Sequence, residues 1–165
     1  MDTISQIYIR SIIFGISDSL GSTVGILAGI DVSGTSRSTI ILTGVVYAFV
    51  EAFSMAVGSF LSEESAEEFA AKSETFNNKP YIAAIVMFIS FVLASFIPIV
   101  PYIIFNLSLA LWVSIGLSVV ALFIVGIILA RLSKINIIKH GIKMMLLGGS
   151  AILIGVVVGK LSSRL

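Results

Sequence analysis

The sequence predicts an all-α membrane protein with five transmembrane helices in each protomer. Of its 165 residues, 58% are hydrophobic and only 12% are charged, and the mean hydropathy is +1.13. Soluble domains carry about 25% charged residues. A soluble fold of this composition would expose large apolar patches and aggregate. We therefore expect a single transmembrane domain over residues 1–165.

Five segments are long and apolar enough to form spanning helices, which need about 20 residues each. The expected spans are 7–30, 38–61, 80–105, 107–130 and 141–160. Residues 62–76 are acidic and continue the second helix, because Glu63 stacks over Glu67 and Glu64 over Glu68 at a spacing of four residues. We expect this extension to reach into the cytoplasm.

The basic residues predict the orientation, since Lys and Arg near the span ends accumulate on the cytoplasmic side. An N-terminus in the cytoplasm and a C-terminus outside place seven basic residues inside, namely Arg10, Lys72, Lys79, Arg131, Lys134, Lys139 and Lys143. The same orientation places three outside, namely Arg37, Lys160 and Arg164.

Several chemistries are excluded by composition. The chain has no cysteine, so it has no disulfide, thiolate metal site or thiol nucleophile. Its single histidine, His140, cannot form a multi-histidine cage within one chain, and no acid neighbours it in its basic loop. A net charge of +1 argues against nucleic acid as a partner. We expect neither an enzyme nor a permanently bound cofactor.

Two acids, Asp18 and Glu51, lie inside the predicted spans, where ionisable groups are costly and usually paired. Each is about ten residues from the predicted cytoplasmic end of its helix, so both carboxyl groups lie roughly 15 Å deep. Every Lys and Arg lies at a span end or in a loop. The partner of these acids must then be a proton, a bound cation or water.

Met55 follows Glu51 by one helical turn and shares its face. Two carboxylates and a thioether together favour a transition metal such as Fe²⁺ or Mn²⁺ over Mg²⁺ or Ca²⁺. In the alternative interpretation, the acids are protonated and hydrogen-bond a neighbouring serine or the backbone, while Met55 fills space in the core.

Small residues form a stripe along the first span that includes Gly15, Ser22, Gly25 and Gly29. Such stripes let helices approach closely. The stripe is explained either by packing within one chain or by a first helix that faces its copy in a homodimer. A second small-residue pair, Gly155 and Gly159, keeps self-association through the fifth span open.

Four motifs resemble the vacuolar iron transporter family, in its short prokaryotic form. They are FGISDSLGSTVGILAG at 14–29, AFSMAVGSFLS at 52–62, IPIVPY at 97–102 and GIKMMLLG at 141–148. The resemblance implies a five-helix protomer, a homodimer with its pathway between the two first helices, and proton-coupled export of Fe²⁺ or Mn²⁺ from the cytoplasm. It also implies a multi-pass protein of a prokaryotic plasma membrane.

Asp18 and Met55 match the pathway residues of that family, whereas Glu51 does not. The family's second-span acid usually stands where this chain has Tyr47, one turn from Glu51. Plant-type members also insert a large glutamate-rich domain between spans two and three, and this chain has only a short acidic segment there. Its glutamates are candidates for a metal entrance or form a solvated helix end: Glu63, Glu64, Glu67 and Glu68. A divalent-cation channel and a non-transporting scaffold or metal sensor remain alternative functions.

Overall fold

Five helices make up the described part of the chain. A computed structural model of the protein describes residues 3–73 and 77–163, and these ranges contain no strand. The helices are α1 Thr3–Val32, α2 Arg37–Ala71, α3 Lys79–Ile104, α4 Leu107–Leu132 and α5 Ile137–Ser162. All five are long and apolar enough to cross a membrane, which confirms the predicted fold class. Arg164 and residues 74–76 of the predicted extension lie outside the described residues.

Local capping sets several helix ends. Asn106 and Asn136 stand before α4 and α5, and each side chain accepts a 3.0 Å hydrogen bond from the backbone N–H three residues on. Such caps satisfy backbone donors that the first turn leaves free. The cap at Asn136 starts α5 four residues earlier than the predicted 141. At the end of α3, the helix continues through Pro98 and Pro101 and stops at Ile104.

The second helix is too long for the bilayer alone. Its 35 residues span about 52 Å at 1.5 Å per residue, whereas the hydrocarbon core is about 30 Å thick. The surplus lies at the end that carries the acidic residues, as predicted for an extension of this helix. The helix ends at Ala71, because Lys72 adopts a left-handed conformation with φ of 54°.

The first helix is the centre of the bundle. In its apolar stretch 56% of the residues are buried, against 11% to 44% in the other four helices. It packs against α3, α5, α4 and, least extensively, α2. The outer helices present large apolar side chains to the surroundings, such as Phe53, Leu93, Trp112 and Leu153. This arrangement is expected for a bundle whose outer surface faces lipid.

Buried hydroxyl groups join α1 to α3. The Ser19 hydroxyl donates to the Phe91 carbonyl oxygen at 2.8 Å and lies 2.7 Å from the Ser95 hydroxyl. Ser95 in turn donates to the same carbonyl at 2.9 Å. Hydrogen bonds between helices are a main source of cohesion in lipid, where apolar burial does not drive association. This seam fixes one side of α1.

Glycines join α1 to α5. A Cβ atom on Gly25 would lie 2.9 Å from the Ala151 carbonyl oxygen, and one on Gly29 would lie 2.6 Å from that of Gly155. A Cβ on Gly155 or Gly159 would overlap the carbonyl groups of Gly25 and Gly29. The two small-residue motifs therefore pack against each other within one chain, which was one of the two explanations left open by the sequence.

A leucine at Gly25 should destabilise the protomer, because the backbone of α5 leaves no room for a side chain. We expect Gly25→Leu to lose about 1–3 kcal/mol of stability, the usual cost of overpacking. Gly116→Leu is the matched control, since a Cβ there meets nothing within 4 Å. Thermal unfolding in detergent measures both. Equal stability of Gly25→Leu and the wild type would contradict the close α1–α5 packing.

Candidate functional site

One side of α1 is not covered by other helices. Asp18, Ser22 and Ile26 lie on it and are half-buried, and we call this the open side of α1. Here α5 diverges from α1 toward the N-terminal end. A Cβ built on Gly29, Gly25 or Gly21 would meet the nearest atom of α5 at 2.6, 2.9 and 3.6 Å, respectively. The divergence makes room beside Asp18.

Three cavities lie along α1, two beside its N-terminal and central parts and one beside its C-terminal half. The Asp18 cavity has a volume of about 650 Å³ and lies between α1, α4 and α5. The Tyr47 cavity, about 500 Å³, lies between α1, α2 and α5 and shares Ser22 with the first. The Met55 cavity, about 510 Å³, lies between α1, α2 and α3. Because Arg10 and Phe14 line both the Asp18 and Met55 cavities, these two cavities are neighbours.

Four polar side chains come together on the open side of α1. The carboxyl groups of Asp18 and Glu51 are close enough to interact electrostatically. The Tyr47 hydroxyl lies near the Ser22 side chain and interacts electrostatically with both acids. Ser22 also donates to the Asp18 carbonyl oxygen at 2.6 Å. We call these four residues the acid cluster.

Tyr47 is the member of the acid cluster that the sequence argument did not select. It entered that argument only as the residue standing where the resembling family has an acid. The available signal was its spacing, since 47, 51 and 55 recur every four residues and so share one face of α2. The ring of Tyr47 packs against Phe91 at a centroid distance of 6.5 Å, which holds the hydroxyl beside Ser22.

Neither acid of the cluster is paired with a basic side chain in the described part of the chain. The two ion pairs found there join Arg10 to Glu63 and Lys79 to Glu67. Two acids without a cation in a membrane-spanning bundle are costly unless a proton, a metal ion or water compensates them. This is the chemical requirement that the site imposes.

Met55 lies apart from Asp18. Met55 lines the Met55 cavity, together with Met87 of α3, and not the Asp18 cavity. Asp18 and Glu51 therefore interact with each other, whereas Met55 borders a separate, neighbouring cavity.

The candidate entrance residues differ in their partners. Glu63 is nearly buried, at 8% exposed, and pairs with Arg10. Glu67 accepts from the Lys79 amine at 2.6 Å and from the Asn77 amide. Glu64 and Glu68 are half-buried and form no ion pair among the described residues. Two of the four glutamates are therefore already neutralised by cations of the chain itself.

The small-residue stripe is divided between two roles. Gly15 packs against α3, where a Cβ would lie 3.1 Å from the Ser90 Cβ, while Gly25 and Gly29 pack against α5. Ser22 is the stripe member that lines two cavities. Of the candidate interface residues, Ser22 is thus the one that borders both the Asp18 and Tyr47 cavities.

The comparisons with known proteins agree with the architecture. The model of the VIT family matches residues 9–79 and 67–160, which covers most of the chain. The chain belongs to the VIT family. This confirms the resemblance to vacuolar iron transporters, and membership indicates metal ion transport across a membrane. A relative in Methanocaldococcus jannaschii, described only as an uncharacterized protein, is 28% identical over 153 residues, which cover 82% of this chain and 80% of the relative.

Neutralising Arg10 and neutralising Glu63 should cost the protein different amounts of stability, although the two side chains form one ion pair. The Arg10 side chain is 64% exposed and can be solvated alone, whereas the Glu63 side chain is 11% exposed. We expect Arg10→Gln to destabilise the protein more than Glu63→Gln, and the double variant to recover part of the loss. The coupling should be about 1 kcal/mol, as for a partly exposed pair.

Thermal unfolding of the two single variants and the double variant measures this coupling. Arg131→Gln is the control, because Arg131 forms no ion pair among the described residues. Strictly additive losses in the double variant would show that the two side chains do not interact.

Proposed function

We propose that the protein exports Fe²⁺ or Mn²⁺ from the cytoplasm in exchange for protons, through a pathway at a homodimer interface. The observation that carries this proposal is the acid cluster: the carboxyl groups of Asp18 and Glu51 interact electrostatically, and neither forms an ion pair with a basic side chain among the described residues. A divalent metal ion supplies the missing positive charge, and the carboxylate oxygens are suitable ligands for it.

Proton exchange follows from the same two groups. A protonated carboxyl group cannot bind a metal ion as a carboxylate does, so metal binding releases protons and protonation releases metal. Loading from the cytoplasm then discharges protons there, and protons taken up from outside displace the ion. In this cycle Asp18 and Glu51 alternate between metal and protons, and at no stage are they left charged and uncompensated.

A second copy completes the ligand set. Within the described residues, one protomer has no group of three or more His, Cys, Asp or Glu side chains that could hold a metal ion. A twofold axis beside the open side of α1 would bring a second Asp18 and Glu51 to the first pair. Such a dimer would also cover the Asp18 and Tyr47 cavities. The working form is therefore a homodimer in the plasma membrane of a prokaryote.

The decisive variant is Asp18→Asn, which keeps size and hydrogen bonding but removes the charge. We expect a folded protein whose metal flux into proteoliposomes falls at least about tenfold, a change of about 1.4 kcal/mol. Glu51→Gln should also reduce flux, because the pair shares one ion. Asp31→Asn is the matched control: Asp31 is in the same helix but accepts a hydrogen bond from Tyr102 at 3.1 Å and lies outside the acid cluster.

Flux of Fe²⁺ or Mn²⁺, recorded together with internal pH, tests the proposal. Normal flux in Asp18→Asn protein would overturn it and leave the acids as protonated groups that bridge helices. Metal flux without proton movement in the wild type would favour the divalent-cation channel. Absence of flux for either metal in folded wild-type protein would leave the scaffold or sensor.

The dimer is tested by a cysteine at Ser22, because the chain has no cysteine of its own. We expect Ser22→Cys protein to crosslink to its copy when oxidised in the membrane, since the open side of each α1 faces the other. Ser108→Cys, at an exposed position near the start of α4, is the control and should stay uncrosslinked. Electrophoresis without reductant reads both. A dimer that crosslinks at neither position would have its interface elsewhere.

A further inference from the structure

We infer that the Met55 cavity is a first binding station for the transported metal, in which Met87 is a second thioether ligand beside Met55. This inference rests on the proposed function and adds a step to it. The ion meets sulfur on the cytoplasmic side before it reaches the carboxylates of the acid cluster.

The first argument is the pairing of sulfur atoms around one space. The cavity is lined by Met55 from α2 and Met87 from α3, so two methionines on different helices border the same volume. Its volume of about 510 Å³ has room for an ion with bound water, given about 30 Å³ for each water molecule. A Cβ on Gly58, another residue of the wall, would meet nothing within 4 Å.

The second argument is the position of the Met87 sulfur along α1. A Cβ on Gly15 would lie 3.2 Å from the Met87 sulfur, so the sulfur packs closely against α1 at the level of Gly15. Gly15 lies one turn beyond Ser11 and one turn before Asp18 on the same face of the helix. The thioether is thus placed between the level of Ser11 and the level of the acid cluster.

The third argument is an unsatisfied polar group in the same wall. Ser11 is 1% exposed and lines the Met55 cavity, and its hydroxyl has no hydrogen-bond partner among the described residues. Buried polar groups are normally hydrogen-bonded, and an exception calls for a ligand or water. An ion with its bound water would supply that partner. A purely apolar filler role for the two methionines leaves this hydroxyl unexplained.

Arg10 is the one basic residue among the described residues that line the Met55 cavity, and it does not exclude a cation. Its guanidinium is paired with the nearly buried carboxylate of Glu63. The ion pair therefore cancels most of the repulsion that Arg10 would exert on an arriving metal ion. In this interpretation Glu63 contributes to the entrance as the counter-ion of Arg10.

Two thioether ligands would select metal ions by the softness of the ion. Sulfur ligands favour ions such as Fe²⁺ and Cd²⁺ over the hard ions Mg²⁺ and Ca²⁺, which bind oxygen, and Mn²⁺ lies nearer the hard group. The station would thus admit a transition metal from a solution in which Mg²⁺ competes for the same charge. The acid cluster offers oxygen ligands and would therefore distinguish transition metals from Mg²⁺ and Ca²⁺ less sharply.

Transport selectivity tests the inference with three methionine variants that keep side-chain volume. Met55→Leu and Met87→Leu should each raise KM for Fe²⁺ by about fivefold, while KM for Mn²⁺ changes by less than about twofold. Met145→Leu is the control, because Met145 lines none of the three cavities. An unchanged ratio of the two KM values in Met87→Leu protein, with the wild type active, would overturn the inference while leaving the proposed function intact.

Metal binding tests the same site without transport. X-ray absorption of Cd²⁺ bound to the purified protein detects sulfur neighbours, and the chain has no cysteine, so any sulfur seen comes from methionine. We expect sulfur scattering in the wild type and about half of it in Met87→Leu protein. Absence of sulfur in the wild type, or its full retention in Met87→Leu protein, would overturn the inference. This result decides the matter even if wild-type protein moves no metal.

Discussion

The structure depends on how α1 is held while one of its sides stays open. Serine hydroxyls fix it to α3, and glycines bring it against α5 so closely that backbone meets backbone. Asp18 lies just where the α1–α5 contact begins to open. A carboxylate at that position is tolerated in a bundle only with compensation of its charge. The packing that stabilises the protomer therefore also creates a place where a proton, a metal ion or water must compensate the acid.

Much of this arrangement was predictable because it follows from fixed helix geometry. The fourth span was expected at 107–130 and forms at Leu107–Leu132. The equal depth predicted for Asp18 and Glu51 follows from a constant rise of 1.5 Å per residue, and the two acids interact electrostatically. The predicted fifth span, 141–160, lies within a helix that begins earlier, at Ile137, because the cap at Asn136 governs where the helix starts.

Other features could not be read from the sequence because they depend on which helices are neighbours. A glycine stripe indicates close approach but does not name the partner, and Gly25 and Gly29 are used within the chain. The separation of Met55 from Asp18 has the same origin. Met55 shares a face of α2 with Glu51, but α3 closes a separate cavity around it and adds Met87. Ion pairing of Glu63 with Arg10, 53 residues away, is likewise a consequence of tertiary packing.

The Met55 cavity and the acid cluster lie at different positions along α1. Ser11 lies two turns before Asp18 on α1, and Met55 lies one turn from Glu51 on α2, toward the predicted cytoplasmic end. Under the proposed function, a soft site that selects the metal and a charged site that exchanges metal for protons would act in sequence. Neither site contains a basic side chain that is free among the described residues, since Arg10 is occupied by Glu63.

The most direct measurement of the central claim is the position of a bound metal ion. Mn²⁺ scatters X-rays anomalously, so crystals of the protein grown with Mn²⁺ would locate it without reference to flux. The account predicts an anomalous peak within coordination distance of the carboxylate oxygens of Asp18 and Glu51, on the open side of α1. A peak confined to Glu64 and Glu68 of the helical extension, with none beside Asp18, would contradict it.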